Sequence, residues 1–221
     1  HGGLNKTELG HEDLAALEKG IPNLLRHVGN IKNIYKLPCV VAINRFPTDT
    51  DGEIDFIIEK CKRLGVNVVL SDVWAEGGKG GEALAREVVR LCNEEKGDFT
   101  FAYTDEMTIC EKIEAVTKKS YGGDGVVYTP QAQKQIENLT SLGFGNLPVC
   151  IAKTQYSFSD DPALTGAPSG FKITVKNVKV SAGAGFVVVL TGDIMTMPGL
   201  PKKPAAELID VNEKGEITGL F

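Results

Sequence analysis

The feature that most limits the fold is a regular alternation of short apolar runs with amphipathic helical patterns over residues 1–153. Short continuous apolar runs are typical of strands that a parallel sheet buries on both faces. The segments between them place apolar residues at helical spacing. This order predicts an α/β fold with a doubly wound, mostly parallel sheet and helices on both faces. Strands are predicted at 38–43, 66–70, 99–103, 126–128 and 149–152, and helices at 12–30, 50–64, 82–95, 106–120 and 129–142.

Local signals mark where several of these helices begin and end. Thr50 is followed three residues later by Glu53, the pattern of a capping box at a helix N-terminus. Thr129 precedes Pro130, and proline is favoured at the first position of a helix. Gly65 and Gly143 follow the last apolar positions of the same two helices and predict their C-terminal ends.

The pattern changes after residue 153. Residues 154–170 are rich in Ser, Asp, Pro and Gly and predict a loop. Residues 171–176 then alternate apolar and polar side chains, as in a half-exposed strand, and 186–190 form another apolar run. The proline-containing tail from Met195 is predicted to be irregular. We therefore expect a parallel α/β domain at 1–153, followed by a smaller region of mixed β-structure at 154–221.

Composition excludes several classes of protein. The net charge is -5 and the lysines are scattered, which argues against a nucleic-acid-binding face. No window approaches the run of about 18 apolar residues that a membrane span needs. The three histidines, His1, His11 and His27, all lie near the start. A histidine-based triad or zinc site would have to draw on that short segment, and we expect no metal site.

The number and spacing of the cysteines indicate the redox state of the compartment in which the protein is expected. The five cysteines are widely spaced and form no C-x-x-C pair, so reduced, buried thiols are predicted. Reduced thiols are typical of a reducing compartment, and we expect a protein of the cytoplasm. The cysteines are Cys39, Cys61, Cys92, Cys110 and Cys150.

Two predicted strands end in unusual loops, each with a large aromatic residue among polar neighbours. Phe46 follows the strand at 38–43, and Trp74 follows the strand at 66–70. Ligands of doubly wound sheets bind beyond the carboxyl ends of the strands. Adjacent strands lie about 4.8 Å apart, and a stacked ring needs about 3.5–4 Å on each side. The two aromatics could hold a flat heterocycle between them. The alternative is that both rings cover the ends of the core.

Two weaker signals concern nucleotides. The run Gly77-Gly78-Lys79-Gly80-Gly81 before a helix could bind an anion, but a flexible entry to that helix is favoured. It matches neither G-x-x-x-x-G-K-[ST] nor G-x-G-x-x-G. Asn44 at a strand end, followed by Asp49, could bind a purine base. The spacing of these two residues differs from that in the P-loop proteins that recognise the base in this way.

Several motifs, in order along the chain, resemble formate–tetrahydrofolate ligases. The resemblance spans almost the whole sequence, from the opening HGG at 1–3 to the closing GLF at 219–221. The motifs between them are VVAINRFPTDT at 40–50, DVWAEGGKG at 72–80, GFGNLPVCIAKT at 143–154 and MTMPGLP at 195–201.

The resemblance implies an ATP-dependent ligase in which ATP and formate give formyl phosphate, which tetrahydrofolate then attacks. It implies that Phe46 and Trp74 stack on the pterin. It also implies magnesium with the ATP, a monovalent cation and a homo-oligomer. The family's P-loop, with the lysine and arginine that hold formyl phosphate, has no counterpart in this sequence. We therefore expect a C-terminal portion that is inactive without its N-terminal partner portion, an expectation that the absence of a starting methionine supports.

Other site residues remain open between two roles. Asn44, Arg45 and Ser71 flank the aromatics and could contact the adenine or the folate, or could close the loops by hydrogen bonds. Fold geometry suggests further residues for the same cleft, namely Lys153, Gln155 and Ser157. Two alternatives to a ligase remain. One is a non-catalytic protein-interaction module, and the other is a purine-nucleotide-binding domain that uses Asn44 and Asp49.

Overall fold

The computed structural model describes residues 1–192, residue 194 and residues 203–219. The helices are α1 (Leu14–Gly29), α2 (Asp51–Lys62), α3 (Val73–Glu76), α4 (Glu82–Glu94), α5 (Ile109–Ala115) and α6 (Pro130–Ser141). The strands are β1 (Val41–Asn44), β2 (Val68–Ser71), β3 (Gly125–Tyr128), β4 (Val149–Ala152), β5 (Lys172–Ser181), β6 (Phe186–Thr191), β7 (Asp210–Val211) and β8 (Ile217–Thr218). Short π-helical turns extend α1 over Asn30–Ile34 and α5 over Val116–Tyr121.

The predicted α/β class, with helices and sheets rich in parallel pairs, is confirmed, but the strands divide among separate sheets. β1 and β2 pair in parallel, from Val41 opposite Val68 to Asn44 opposite Ser71. A second sheet has the order β3-β5-β6-β4. β7 and β8 form a small antiparallel pair. The proline-containing tail motif at 195–201 and the last two residues lie outside the described residues.

The four-stranded sheet is mixed. β3 pairs with β5 in parallel and β4 pairs with β6 in parallel, whereas β5 and β6 are antiparallel. β3 and β4 therefore run in opposite directions at the two edges, unlike the parallel arrangement predicted for them. Strands from both sides of residue 153 share this sheet. The division into domains at that residue stays a prediction.

The predicted helix ends are confirmed. The Thr50 side chain accepts a hydrogen bond from the Glu53 N–H, and the Glu53 carboxylate accepts one from the Thr50 N–H, as a capping box requires. The Thr129 hydroxyl accepts from the Ala132 N–H, 3.2 Å away, and Pro130 is the first residue of α6. The two helices are followed by Gly65 and Gly143, whose positive φ angles favour glycine.

The strand predicted at 99–103 is wrong. Thr100 instead fastens this segment to the turn after α1, through its N–H to the Tyr35 carbonyl (3.2 Å) and its hydroxyl to the Ile34 carbonyl (2.6 Å). These bonds join the segment to the end of a helical turn and not to a neighbouring strand, and Phe99 and Phe101 remain exposed. The two phenylalanine rings pack against each other at the surface, with the Phe99 and Phe101 centroids 4.7 Å apart.

The cysteines are all free, but the prediction that all are buried is wrong. Cys61 is fully buried, whereas Cys92 and Cys150 are exposed. Cys150 lies on β4, which is an edge strand. Cys92 and Val88 lie on an open face of α4, while Leu91 on the same helix is buried. The sheet of β1 and β2 has only two strands, which limits the surface that can cover α4.

The main core lies between the four-stranded sheet and helices α5 and α6. Apolar side chains from both layers pack there with little or no exposure. They are Ile109, Ile113, Ala132, Ile136, Leu139, Val175, Val178, Val187 and Val189. A smaller cluster of Val28, Val41, Cys61 and Val66 supports β1 and β2. None of the helices in the described ranges has the length and apolar character required to cross a membrane.

One fully buried side chain in α5 is charged. The Lys112 ammonium donates hydrogen bonds to three backbone carbonyls, those of Asp105 (3.0 Å), Asn146 (2.7 Å) and Leu147 (3.3 Å). These carbonyls belong to the segment before α5 and the segment before β4. Lys112 therefore joins the segment before α5 to the segment before β4.

Candidate functional site

The carboxyl ends of β1 and β2 bring two loops to the same edge of their sheet. Asn44, the last residue of β1, lies opposite Ser71, the last residue of β2. The pairing continues one residue further, because the Arg45 N–H donates to the Ser71 carbonyl oxygen at 3.2 Å. The loops that carry Phe46 and Trp74 therefore begin side by side, as the sequence predicted from strand order.

The loop after β1 holds its backbone firmly but leaves its aromatic ring exposed. The Phe46 N–H donates to the Asp49 carboxylate at 2.8 Å, and the Asp49 N–H donates back to the Phe46 carbonyl at 3.0 Å. Thr50 then caps α2. The Phe46 side chain is 57% exposed, so the ring stands at the surface on a closed turn.

The two ends of the loop after β2 are joined by a hydrogen bond, and the loop carries the second aromatic. Trp74 lies on the single turn of α3 and is 75% exposed. The Asp72 N–H donates to the Gly80 carbonyl at 3.1 Å, across the base of this loop. Gly77 has φ 60° and ψ -144°, a conformation that essentially only glycine adopts. The glycine run forms a 3₁₀ turn that leads directly into α4, in agreement with its interpretation as a helix entry.

The exposure of both rings argues against the alternative that Phe46 and Trp74 cover the ends of the core. Side chains that cover the ends of a core lose most of their surface to it. Phe46 and Trp74 keep more than half of theirs, and neither belongs to an apolar cluster in the described part of the chain. Within the described residues, neither ring therefore covers the end of a core.

Gly80 is required by close contact rather than by an unusual φ angle. A Cβ at this position would overlap the Asp72 carbonyl group and lie 2.9 Å from the Val73 nitrogen. We expect Gly80→Ala to lower the free energy of unfolding by about 1–3 kcal/mol, because the loop base must open. Urea unfolding measures this. Gly78→Ala is the matched control, since a Cβ there has no heavy atom within 4 Å. Equal stability of the two variants would contradict the prediction.

The polar residues beside the aromatics differ in their exposure and in their contacts. Asn44 is exposed, and Ser71 is buried at the end of β2. Arg45 forms an ion pair with Asp51 at 3.6 Å, and the Asp51 side chain is almost fully exposed. Exposed pairs of this kind contribute little to stability and exchange readily. Asn44 is thus exposed at the end of β1, whereas Arg45 is held only by a weak surface ion pair.

The residues suggested after β4 belong to the other sheet. The Lys153 ammonium donates to the Thr154 carbonyl at 2.8 Å and to the Ser157 carbonyl, and the Ser157 hydroxyl donates to the Leu164 carbonyl. Burial lowers the pKa of Lys153, partly opposed by the charge of Asp160. These contacts brace the loop after β4, whereas Gln155 is exposed.

The histidines His27 and His1 make structural contacts. His27 packs against Phe158, with ring centroids 4.7 Å apart, and its pKa is lowered by burial and then by the charge of Lys153. His1 accepts a hydrogen bond from the Gly166 N–H at 3.1 Å through Nδ1. The described ranges contain no group of three or more His, Cys, Asp or Glu side chains that could hold a metal ion. The magnesium that the resemblance implies is therefore assigned to no residues.

Two contacts that shape the site were not identified from the sequence. The sequence indicates only a possible purine contact for Asp49, yet its carboxylate accepts a hydrogen bond from the Phe46 N–H within the same loop. A signal was present, because Pro and Asp in Phe46-Pro47-Thr48-Asp49 are typical of a turn. The close approach of Gly80 to Asp72 had no local signal beyond the glycine itself.

A comparison with protein families agrees with the motifs that surround these loops. A family model described as formate–tetrahydrofolate ligase matches residues 1–221, which is the full length of the sequence. The enzymes of this family are ligases of one-carbon metabolism that use ATP and tetrahydrofolate. Because the match covers every residue, the chain belongs to the formate–tetrahydrofolate ligase family.

Proposed function

We propose that this chain supplies the pterin-binding slot of a ligase that joins formate to tetrahydrofolate, with Phe46 and Trp74 stacked on opposite faces of the pterin. One observation carries the proposal. Two exposed aromatic rings stand on closed loops at the adjacent carboxyl ends of two paired parallel strands. That edge is where α/β sheets bind their ligands.

The chemistry of the pterin suits this edge of the sheet. A pterin is flat and aromatic, so it gains most from ring faces on both sides, while its polar rim needs hydrogen-bonding groups. Asn44 and Arg45 are the polar residues next to Phe46, and we propose that they contact the folate or the adenine. The buried Ser71 lies opposite Asn44 and supports the base of the slot.

The remaining parts of the reaction are proposed to lie elsewhere. We place the ATP site, its magnesium and the formyl phosphate intermediate in an N-terminal portion outside these 221 residues, because the sequence has no P-loop. We therefore assign no catalytic residue and expect no ligase activity from this chain alone. The homo-oligomer, the monovalent cation and the cytoplasmic location also remain proposals.

A second candidate function has one observation in its favour. Val73 is 45% exposed next to Trp74, so the aromatic loop offers apolar surface that a protein partner could cover. A non-catalytic interaction module would use this surface directly. The purine-nucleotide alternative is less well supported, because the Asp49 carboxylate already accepts the Phe46 N–H.

The fluorescence of Trp74, the only tryptophan, offers a direct test. We expect titration of the chain with tetrahydrofolate, corrected for ligand absorption, to quench this emission saturably. Phe46→Ala should abolish saturation over the same range, since one face of the slot is lost. Phe101→Ala is the matched control, because this phenylalanine is 76% exposed at a distant position in the sequence. A linear, unsaturable response would contradict the slot and favour the interaction module.

A further inference from the structure

The exposed ring of Phe46 stands on a backbone that is fixed from both sides. Before it, the Arg45 N–H is bonded to the end of β2. After it, Asp49 makes two hydrogen bonds to the Phe46 backbone, and Thr50 caps the N-terminus of α2 with a capping box. Exposed loops lose conformational entropy when a ligand orders them, so a loop that is ordered in advance binds more tightly.

Within this turn, the Asp49 side chain accepts the hydrogen bond that fixes the backbone N–H of Phe46. Its Oδ2 atom accepts the Phe46 N–H at 2.8 Å, a charge-assisted hydrogen bond. The neighbouring cation, Arg45, pairs with Asp51 instead. The Asp49 carboxylate is thus directed at the Phe46 backbone.

We infer that Asp49 is a positioning residue for the folate site, which acts through Phe46 and not by touching the ligand. This inference rests on the proposed function of Phe46. Without the carboxylate, the Phe46 N–H would bond to water and the turn would keep only the backbone bond between Asp49 and Phe46. The ring would then sample more orientations, and ligand binding would have to select one of them.

The inference predicts a specific pattern across two substitutions. Asp49→Ala removes the acceptor, and we expect tetrahydrofolate to bind about tenfold more weakly. Asp49→Asn keeps an oxygen acceptor at the same place, so binding should weaken by no more than about threefold. In both variants the quenching of Trp74 at saturation should equal that of the unmodified chain, because the stacked complex is the same once formed.

The experiment titrates the unmodified chain, the two Asp49 variants and Phe46→Ala with tetrahydrofolate, and records Trp74 emission. Asp55→Ala is the matched control, since Asp55 is an exposed aspartate on α2. Urea unfolding of each variant shows whether a loss of binding reflects a loss of folded protein. A fall in affinity for Asp49→Ala with an unchanged urea midpoint supports the inference.

Three outcomes would overturn it in different ways. If Asp49→Ala binds like the unmodified chain while Phe46→Ala does not, the positioning role fails and the proposed function stands. If Asp49→Asn binds as weakly as Asp49→Ala, an oxygen acceptor at this place is not sufficient and the inference fails as stated. If Phe46→Ala leaves binding unchanged, or the unmodified chain shows no saturable quenching, the proposed function fails and the inference fails with it.

Discussion

Replacement of Trp74 by alanine is expected to weaken tetrahydrofolate binding strongly, because it removes one of the two ring faces of the proposed slot. Trp74 has the largest aromatic face at the site and is 75% exposed before the ligand arrives. By analogy with bases stacked on aromatic side chains, the loss should be about 1–3 kcal/mol. Each 1.4 kcal/mol corresponds to about a tenfold change in the dissociation constant.

Because this variant has no tryptophan, its affinity must be measured by calorimetry. Trp74→Phe is the informative companion, since it keeps a ring on the same helix turn and should recover part of the loss. In an intact ligase that contains this chain, Trp74→Ala should raise the apparent constant for tetrahydrofolate and leave that for ATP unchanged. Unaltered tetrahydrofolate kinetics would remove Trp74 from the site.

The second large effect is expected in the core, from Lys112→Met. Methionine keeps most of the side-chain volume but removes the ammonium that the Asp105, Asn146 and Leu147 carbonyls share. Those carbonyls would lose their charged donor, although the cost of burying the Lys112 charge also disappears. We expect the free energy of unfolding to fall by about 2–4 kcal/mol as the net result.

Urea unfolding of both proteins would measure this difference. Lys134→Met is a suitable control, because Lys134 is exposed on α6 and its replacement should change stability by less than about 0.5 kcal/mol. A similarly small effect of Lys112→Met would mean that water replaces the ammonium at the three carbonyls. The loops before α5 and β4 would then not depend on this residue.

The elements that local sequence specifies were predicted well. The capping box of Thr50 and Glu53 needs only residues three apart, and β4 is found at the predicted residues. The arrangement of the strands was not predictable in the same way, because pairing is a long-range choice. Nothing local to 171–190 indicates that β5 and β6 lie between β3 and β4. The same limit applies to Cys92 and Cys150, whose exposure depends on which strands are missing beside them.

In the candidate site, too, local features were predictable from the sequence and contacts that depend on the fold were not. Phe46 and Trp74 could be selected from the sequence because each follows an apolar strand in a polar loop. Their common location at one sheet edge follows from the register of β1 and β2. The roles of Asp49 and Gly80 were not predictable from sequence, since both depend on how a loop folds back on itself.

The order β3-β5-β6-β4 has a consequence for synthesis on the ribosome. β3 and β4 are both made before either of their partners, which begin at Lys172 and Phe186. Until Thr191 has left the exit tunnel, α5 and α6 have no completed sheet to cover their apolar faces. Translation proceeds at about 5–20 residues per second, so this surface stays uncovered for seconds. The nascent chain is therefore most prone to aggregate, and most in need of a chaperone, between the synthesis of α6 and that of β6.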